Sequence, residues 1–113
     1  MEKTMNKVTR ADKRRIMFRA WQMVKDYGMT IADALRKAWQ SVKLRAAMVA
    51  GVVRFSYRKT DGAIRQALGT LSGEIVPATQ GASKANDAIQ VYYDTECGAW
   101  RSFRVANLID VAE

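Results

Sequence analysis

Arginines interleaved with aromatic rings are the residues of this sequence best equipped for chemistry, and the chemistry is the holding of an anion that carries a flat ring. One set, Tyr92, Tyr93, Trp100, Arg101 and Arg104, falls within IQVYYDTECGAWRSFRVANLIDV, the stretch from Ile89 to Val111. There Arg101 and Arg104 can contact phosphate oxygens while Tyr92, Tyr93 or Trp100 stacks on a base. A second set, Arg54, Arg58 and Arg65, lies in VVRFSYRKTDGAIRQALGTL. Three arginines on an exposed strand face are ordinarily just solvated, and they form a binding surface only where an anion meets them. Other chemistry is poorly supplied. Histidine is absent, which removes the commonest general base and metal ligand. The lone Cys97 can build neither a zinc site nor an internal disulfide, and it reads as an exposed turn thiol with no evident activating partner. No Gly-rich phosphate loop or metal-type carboxylate cluster is present, and Asp94 and Glu96 read as ordinary turn polarity. Catalytic residues, metal and cofactor are all expected to be none, and the protein is not expected to be an enzyme.

The elements that must position these side chains are strands. Around Glu96-Cys97-Gly98 the apolar residues alternate, Ile89, Val91 and Tyr93 going in and Phe103 and Val105 coming out, which predicts a hairpin. With a three-residue loop closed by Gly98 at positive φ, Val91 faces Phe103 and Tyr93 faces Arg101 on the inner side, near the rim. Tyr92, Trp100 and Arg104 then point outward. Upstream, Asp61-Gly62 read as a two-residue type I′ turn sets Phe55 against Leu68 and Tyr57 against Gln66 on the inner side. It also sets Arg58 against Arg65, a like-charged pair that either is well solvated or meets an anion. Between the hairpins, residues 72–88 are rich in Gly, Ser, Ala and Asn around the only proline, Pro77, and read as a long loop with a short strand at Glu74 to Val76. A tight turn at Val105-Ala106-Asn107 and a last strand from Leu108 to Val111 complete the pattern.

Before residue 51 the period is helical. Thr9 with Asp12 opens a helix striped by Ile16, Met17, Ala20, Trp21, Val24 and Tyr27, and Gly28 ends it. Thr30 with Asp33 opens another, striped by Ile31, Ala34, Leu35, Ala38, Trp39 and Val42, running to about Met48. RAWQMVK and KAWQSVK echo each other across the pair. The net charge of +8 comes entirely from here, since residues 1–50 hold twelve basic and four acidic residues and the remainder holds seven of each. Candidate nucleic-acid contacts are therefore Lys13, Arg14, Arg15, Arg36 and Lys37. Sequence-specific DNA reading is disfavoured, because Ala34 is small for a helix-turn-helix core position and Trp21 and Trp39 read as core. The expected organisation is a basic helical region over 1–50 and a β unit over 51–113, forming one compact unit. The polar N-terminus gives no secretion signal, no apolar run spans a bilayer, and a single cysteine suits a reducing compartment, so a cytoplasmic protein without membrane contact is expected.

Five short strands after two helices describe an α+β fold, a helical pair followed by a small five-stranded SH3-like (Sm-like) β-barrel. The motif F-x-Y-x-K-x-D-G-x-x-R from Phe55 to Arg65, the Gly69-Thr70-Leu71 after it, and Y-x6-W-R-S-F-R-x-x-N-L from Tyr93 to Leu108 resemble the two blocks of the WYL-like family with an Sm-like SH3 barrel. The resemblance covers residues 51–111. The Trp-Tyr-Leu tripeptide itself is absent, Val91-Tyr92-Tyr93 standing in its place. The resemblance implies origin in a bacterium, phage or mobile element, and a ligand-binding or regulatory module in which basic and aromatic barrel residues take nucleotide-type or nucleic-acid ligands. A second reading keeps the arginines structural and makes the chain an interaction module that forms a homo-oligomer or binds a host protein.

Overall fold

Both helices begin where the sequence offers a cap. In the structure, a computed structural model describing residues 9–76 and 88–112, Thr9 and Asp12 form a reciprocal capping box for α1 (Arg10–Tyr27). Gly28 closes that helix at φ 68°, and Thr30 accepts the Asp33 N–H at 3.2 Å to start α2 (Ile31–Ala50). Then follow β1 (Val52–Arg58), β2 (Ile64–Thr70), β3 (Ile89–Asp94), β4 (Ala99–Arg104), a 3-10 turn at Val105–Asn107, and β5 (Leu108–Val111). The loop around Pro77, like Lys3 and Lys7, lies outside the described residues. Glu74 to Val76 forms a turn closed on the Ser72 carbonyl instead of the expected strand.

The strands make one antiparallel sheet in the order β4-β3-β2-β1-β5. Its two ends are joined through the 3-10 turn, with no β4–β5 ladder among the described pairings, so the five-stranded unit is not a closed ring. Two apolar clusters hold it together. Leu44 and Met48 from α2 pack on Phe55, Tyr57, Tyr92, Phe103 and Leu108, while Ile16, Ala20, Met23, Ala34, Ala38 and Val42 join the helices to each other and to Val105. Alanines at 20, 34 and 38 allow close helix approach, which makes the buried stripe narrower than the apolar pattern suggests. Trp21, Trp39, Met17, Tyr27 and Ile31 are consequently exposed, not core as expected.

Both hairpins sit one residue away from the expected register. In the first, Lys59 N–H donates to the Ala63 carbonyl at 2.7 Å, leaving Thr60-Asp61-Gly62 as a three-residue loop. A type I′ turn needs positive φ at both central residues, and Asp61 does not adopt it; only Gly62 does, at 93°. Phe55 therefore faces Ala67, Tyr57 faces Arg65 and Arg58 faces Ile64, so the like-charged pair does not exist. In the second, four residues (95–98) form the loop and Gly98, at φ 66°, donates to the Asp94 carbonyl at 2.8 Å. Tyr92 then faces Arg101 and Tyr93 faces Trp100. The slip turns β3 over: Gln90, Tyr92 and Asp94 are buried, whereas Val91 is exposed and Tyr93 half-buried.

Candidate functional site

The packing of α2 leaves one of its long faces over the sheet without closing on it. Asp33, Lys37, Gln40, Leu44 and Ala47 recur at helical spacing and look across at β1 and β5. Between them lies a cleft of about 1110 Å³, ample for a ligand of nucleotide size. Leu44, Val53, Leu68, Leu108 and Val111 supply apolar lining, and Arg36, Lys37, Lys43 and Arg54 converge on it against one acid, Asp33. Trp39, 42% exposed, stands at the same wall.

These cations differ in what they are already doing. Arg36 is paired with Asp33 at 2.7 Å, and the Lys37 ammonium donates to the Leu108 carbonyl at 2.6 Å, joining helix to strand. Lys43 and Arg54 have no side-chain partner among the described residues and are exposed. Burial first and the Arg58 charge second lower the Lys37 pKa, with Asp33 pulling the other way. An anion entering the cleft opposes both lowering effects. The arrangement suits a phosphate held by guanidinium and ammonium groups beside an indole able to stack on a ring.

The hairpin residues are disposed differently. Asp94, fully buried, accepts Arg65 at 3.1 Å and Arg101 at 3.4 Å, and its other oxygen accepts the Glu96 and Cys97 N–H groups at 2.9 and 3.1 Å. Arg65 and Arg101 also donate to Cys97 Sγ at 3.4 and 3.3 Å, so the exposed thiol has partners the sequence did not show. Tyr92, placed outward by the expected register, is instead fully buried, its hydroxyl 2.9 Å from that of Tyr57. Burial first and that hydroxyl second push the Tyr92 phenol well above its ordinary pKa, keeping it neutral. Tyr93 meets Trp100 edge to face at 5.4 Å, Arg58 donates to the Gly62 carbonyl at 3.0 Å, and Arg104 is exposed. Lys13 and Arg14 are exposed on the first turns of α1, with Arg15 half-buried.

Of the residues singled out from sequence, then, the fold gathers Arg36, Lys37 and Arg54 in one place and ties Arg65 and Arg101 to Asp94 in another. Lys43 and Trp39 escaped notice as cleft residues, although their spacing of four on one helix places them together. Arg19 escaped too: it is buried and joins the helices to β3 through Ser41 Oγ at 2.6 Å and Gln90 Oε1 at 3.3 Å. Among the described residues, no group of three His, Cys, Asp or Glu gathers as metal ligands would, and no helix is long and apolar enough to cross a membrane.

A family model described as WYL_2, Sm-like SH3 β-barrel fold, matches residues 41–109. An uncharacterized 11.5 kDa protein in the Gp31-cd intergenic region of enterobacteria phage T4 is 33% identical over 75 residues, which is 60% of this chain and 72% of that protein. No solved structure matches.

Proposed function

The chain belongs to the WYL_2 family of Sm-like SH3 β-barrel fold, as a small protein of phage type, and from that premise we propose a non-enzymatic regulatory module that binds an anionic nucleotide-type or nucleic-acid ligand in the cytoplasm. The binding site is the cleft between α2 and the β1–β5 side of the sheet. One observation carries this: Lys43 and Arg54, without side-chain partners among the described residues, stand with Arg36, Lys37 and Trp39 around an apolar cleft. Phosphate falls to Lys43 and Arg54, the ring to Trp39. Arg65 and Arg101 support the hairpin through Asp94 and are not required to touch ligand.

The test is calorimetric titration of short single-stranded oligonucleotides and cyclic dinucleotides into the wild type and three variants. Removing both cations in Lys43→Ala/Arg54→Ala is expected to weaken binding at least tenfold. It also flattens the slope of affinity against salt, by about one for each phosphate no longer held. Trp39→Ala is expected to weaken binding about tenfold, in line with roughly 1–3 kcal/mol for a stacked base. Arg101→Ala is expected to leave binding unchanged. Loss of binding in Arg101→Ala with none in the double variant would move the site to the hairpin, and no binding by the wild type would remove the reading.

A further inference from the structure

A second surface lies on α1, outside the residues the family model matches and on residues the cleft does not use. The inner side of α1 is spent on Ile16, Arg19, Ala20 and Met23. On the opposite side Met17, Phe18 and Trp21 are 44, 57 and 56% exposed. At about 3.6 residues per turn these three share one arc. Arg14 precedes them on that arc by one turn and Lys25 follows by one turn, both exposed. The helix carries six basic and two acidic residues, one of the latter, Asp12, being used in its own capping box.

We propose that this face docks an amphipathic helical segment of a partner protein, whose apolar stripe is bordered at both ends by Asp or Glu. The composition is that of an interface centre, where Trp, Phe, Met and Arg concentrate. The cations at Arg14 and Lys25 are about 16 Å apart along the axis, three turns of a facing helix, and each demands an acidic counterpart. A second copy of the chain is the wrong occupant. Two such faces, parallel or antiparallel, bring Arg14 and Lys25 against Arg14 and Lys25. A lipid surface is also a poor match, since α1 has its other face committed to the core and offers only about one turn of apolar arc.

The experiment uses the full chain and a fluorescent, about five-turn helical peptide with leucines at every third and fourth position, bordered by glutamates about three turns apart. A counterpart carrying lysines for glutamates serves as the comparison. Tighter binding of the acidic peptide by tenfold or more is expected, lost by at least tenfold in Phe18→Ala/Trp21→Ala. In Arg14→Glu/Lys25→Glu the preference is expected to invert. All four positions are exposed, and an unchanged circular dichroism melt shows that the variants remain folded. Oligonucleotide binding in the cleft should be the same in Phe18→Ala/Trp21→Ala as in the wild type, which separates failure here from failure of the cleft reading. Equal binding of the two peptides, no binding, or acidic-peptide binding indifferent to the Phe18/Trp21 change would overturn the proposal. So would Trp21-dependent dimerisation in sedimentation, or Trp21-dependent binding to anionic vesicles in preference to the peptide.

Discussion

Gly69→Ala is expected to lower the unfolding free energy by about 3 kcal/mol, the upper range for overpacking a core, seen as a fall in the urea midpoint with unchanged slope. An added Cβ would stand 2.7 Å from Tyr92 Cδ2 and 2.9 Å from Phe55 Cε1. Neither ring can yield cheaply. Tyr92 is pinned by its hydroxyl to Tyr57 and lies edge-on to Phe55 at 5.0 Å, and Phe55 in turn touches Phe103 at 5.4 Å. Gly73→Ala, where a Cβ would meet nothing within 4 Å, is the control and should stay within about 0.5 kcal/mol of wild type. If the two alanines cost the same, the close approach is not what position 69 is for. A double variant sharpens the point. Tyr92→Leu leaves the Tyr57 hydroxyl without its partner and is itself destabilising, but in that background the cost of Gly69→Ala should shrink.

Gly69 also explains why the Gly-Thr-Leu motif is a unit. Thr70 Oγ1 lies 3.1 Å from the Met48 carbonyl and 2.8 Å from that of Gly51, and the Leu71 N–H reaches Met48 at 2.8 Å. The three residues thus admit the aromatic core, satisfy carbonyls at the end of α2, and hold the helix on the sheet. That placement is what opens the cleft, because it fixes α2 above β1 and β5.

Local features were readable in the sequence because their causes are local. Thr9 with Asp12, Gly28, and Thr30 with Asp33 specify caps within a few residues, and all three cap as expected. Strand pairing and the positive φ of Gly98 were likewise legible. Register was not, in either hairpin, since side-chain acceptors set it. Asp61 accepts the Ala63 N–H and Asp94 the Glu96 and Cys97 N–H groups, each lengthening its loop by one residue. On β3 the alternation is ambiguous in itself: Ile89, Val91 and Tyr93 make the more apolar face, yet the face containing Gln90 and Asp94 is the buried one. Their partners, Arg19 for Gln90 and Arg65 for Asp94, lie 71 and 29 residues away. The cleft was illegible for the same reason, as Lys43 and Arg54 meet only once helix and sheet have packed. The tryptophans were misplaced because period shows which residues share a stripe and not how wide a stripe the neighbour covers.

Asp94 gives the other large expected effect, about 3–5 kcal/mol lost in Asp94→Ala, the usual result of removing one partner from a buried ion pair. Arg101 contributes the smaller share, its side chain being 41% exposed, and Arg65, at 24%, the larger. The carboxylate also organises the loop through two backbone N–H groups, so Asp94→Asn, which keeps an oxygen acceptor, should cost less than alanine. Acid separates charge from shape. Burial taken alone raises the Asp94 pKa, but the Arg65 bond and the Cys97 and Glu96 N–H groups outweigh it and hold the carboxyl below its ordinary value. A lowered folded-state pKa stabilises above the unfolded value of about 4 and loses that stabilisation as pH falls through the folded one. Wild-type stability should therefore vary little through Asp94 between about pH 5 and 8 and decline below about 4. In Asp94→Asn the decline should be shallower, because that group no longer titrates. Asp33 and Asp61, also lowered by their own partners, titrate identically in both proteins and cancel in the difference. Parallel acid curves for wild type and Asp94→Asn would show that the carboxylate shapes the loop without its charge stabilising the fold, leaving Arg65 and Arg101 free to serve a ligand after all.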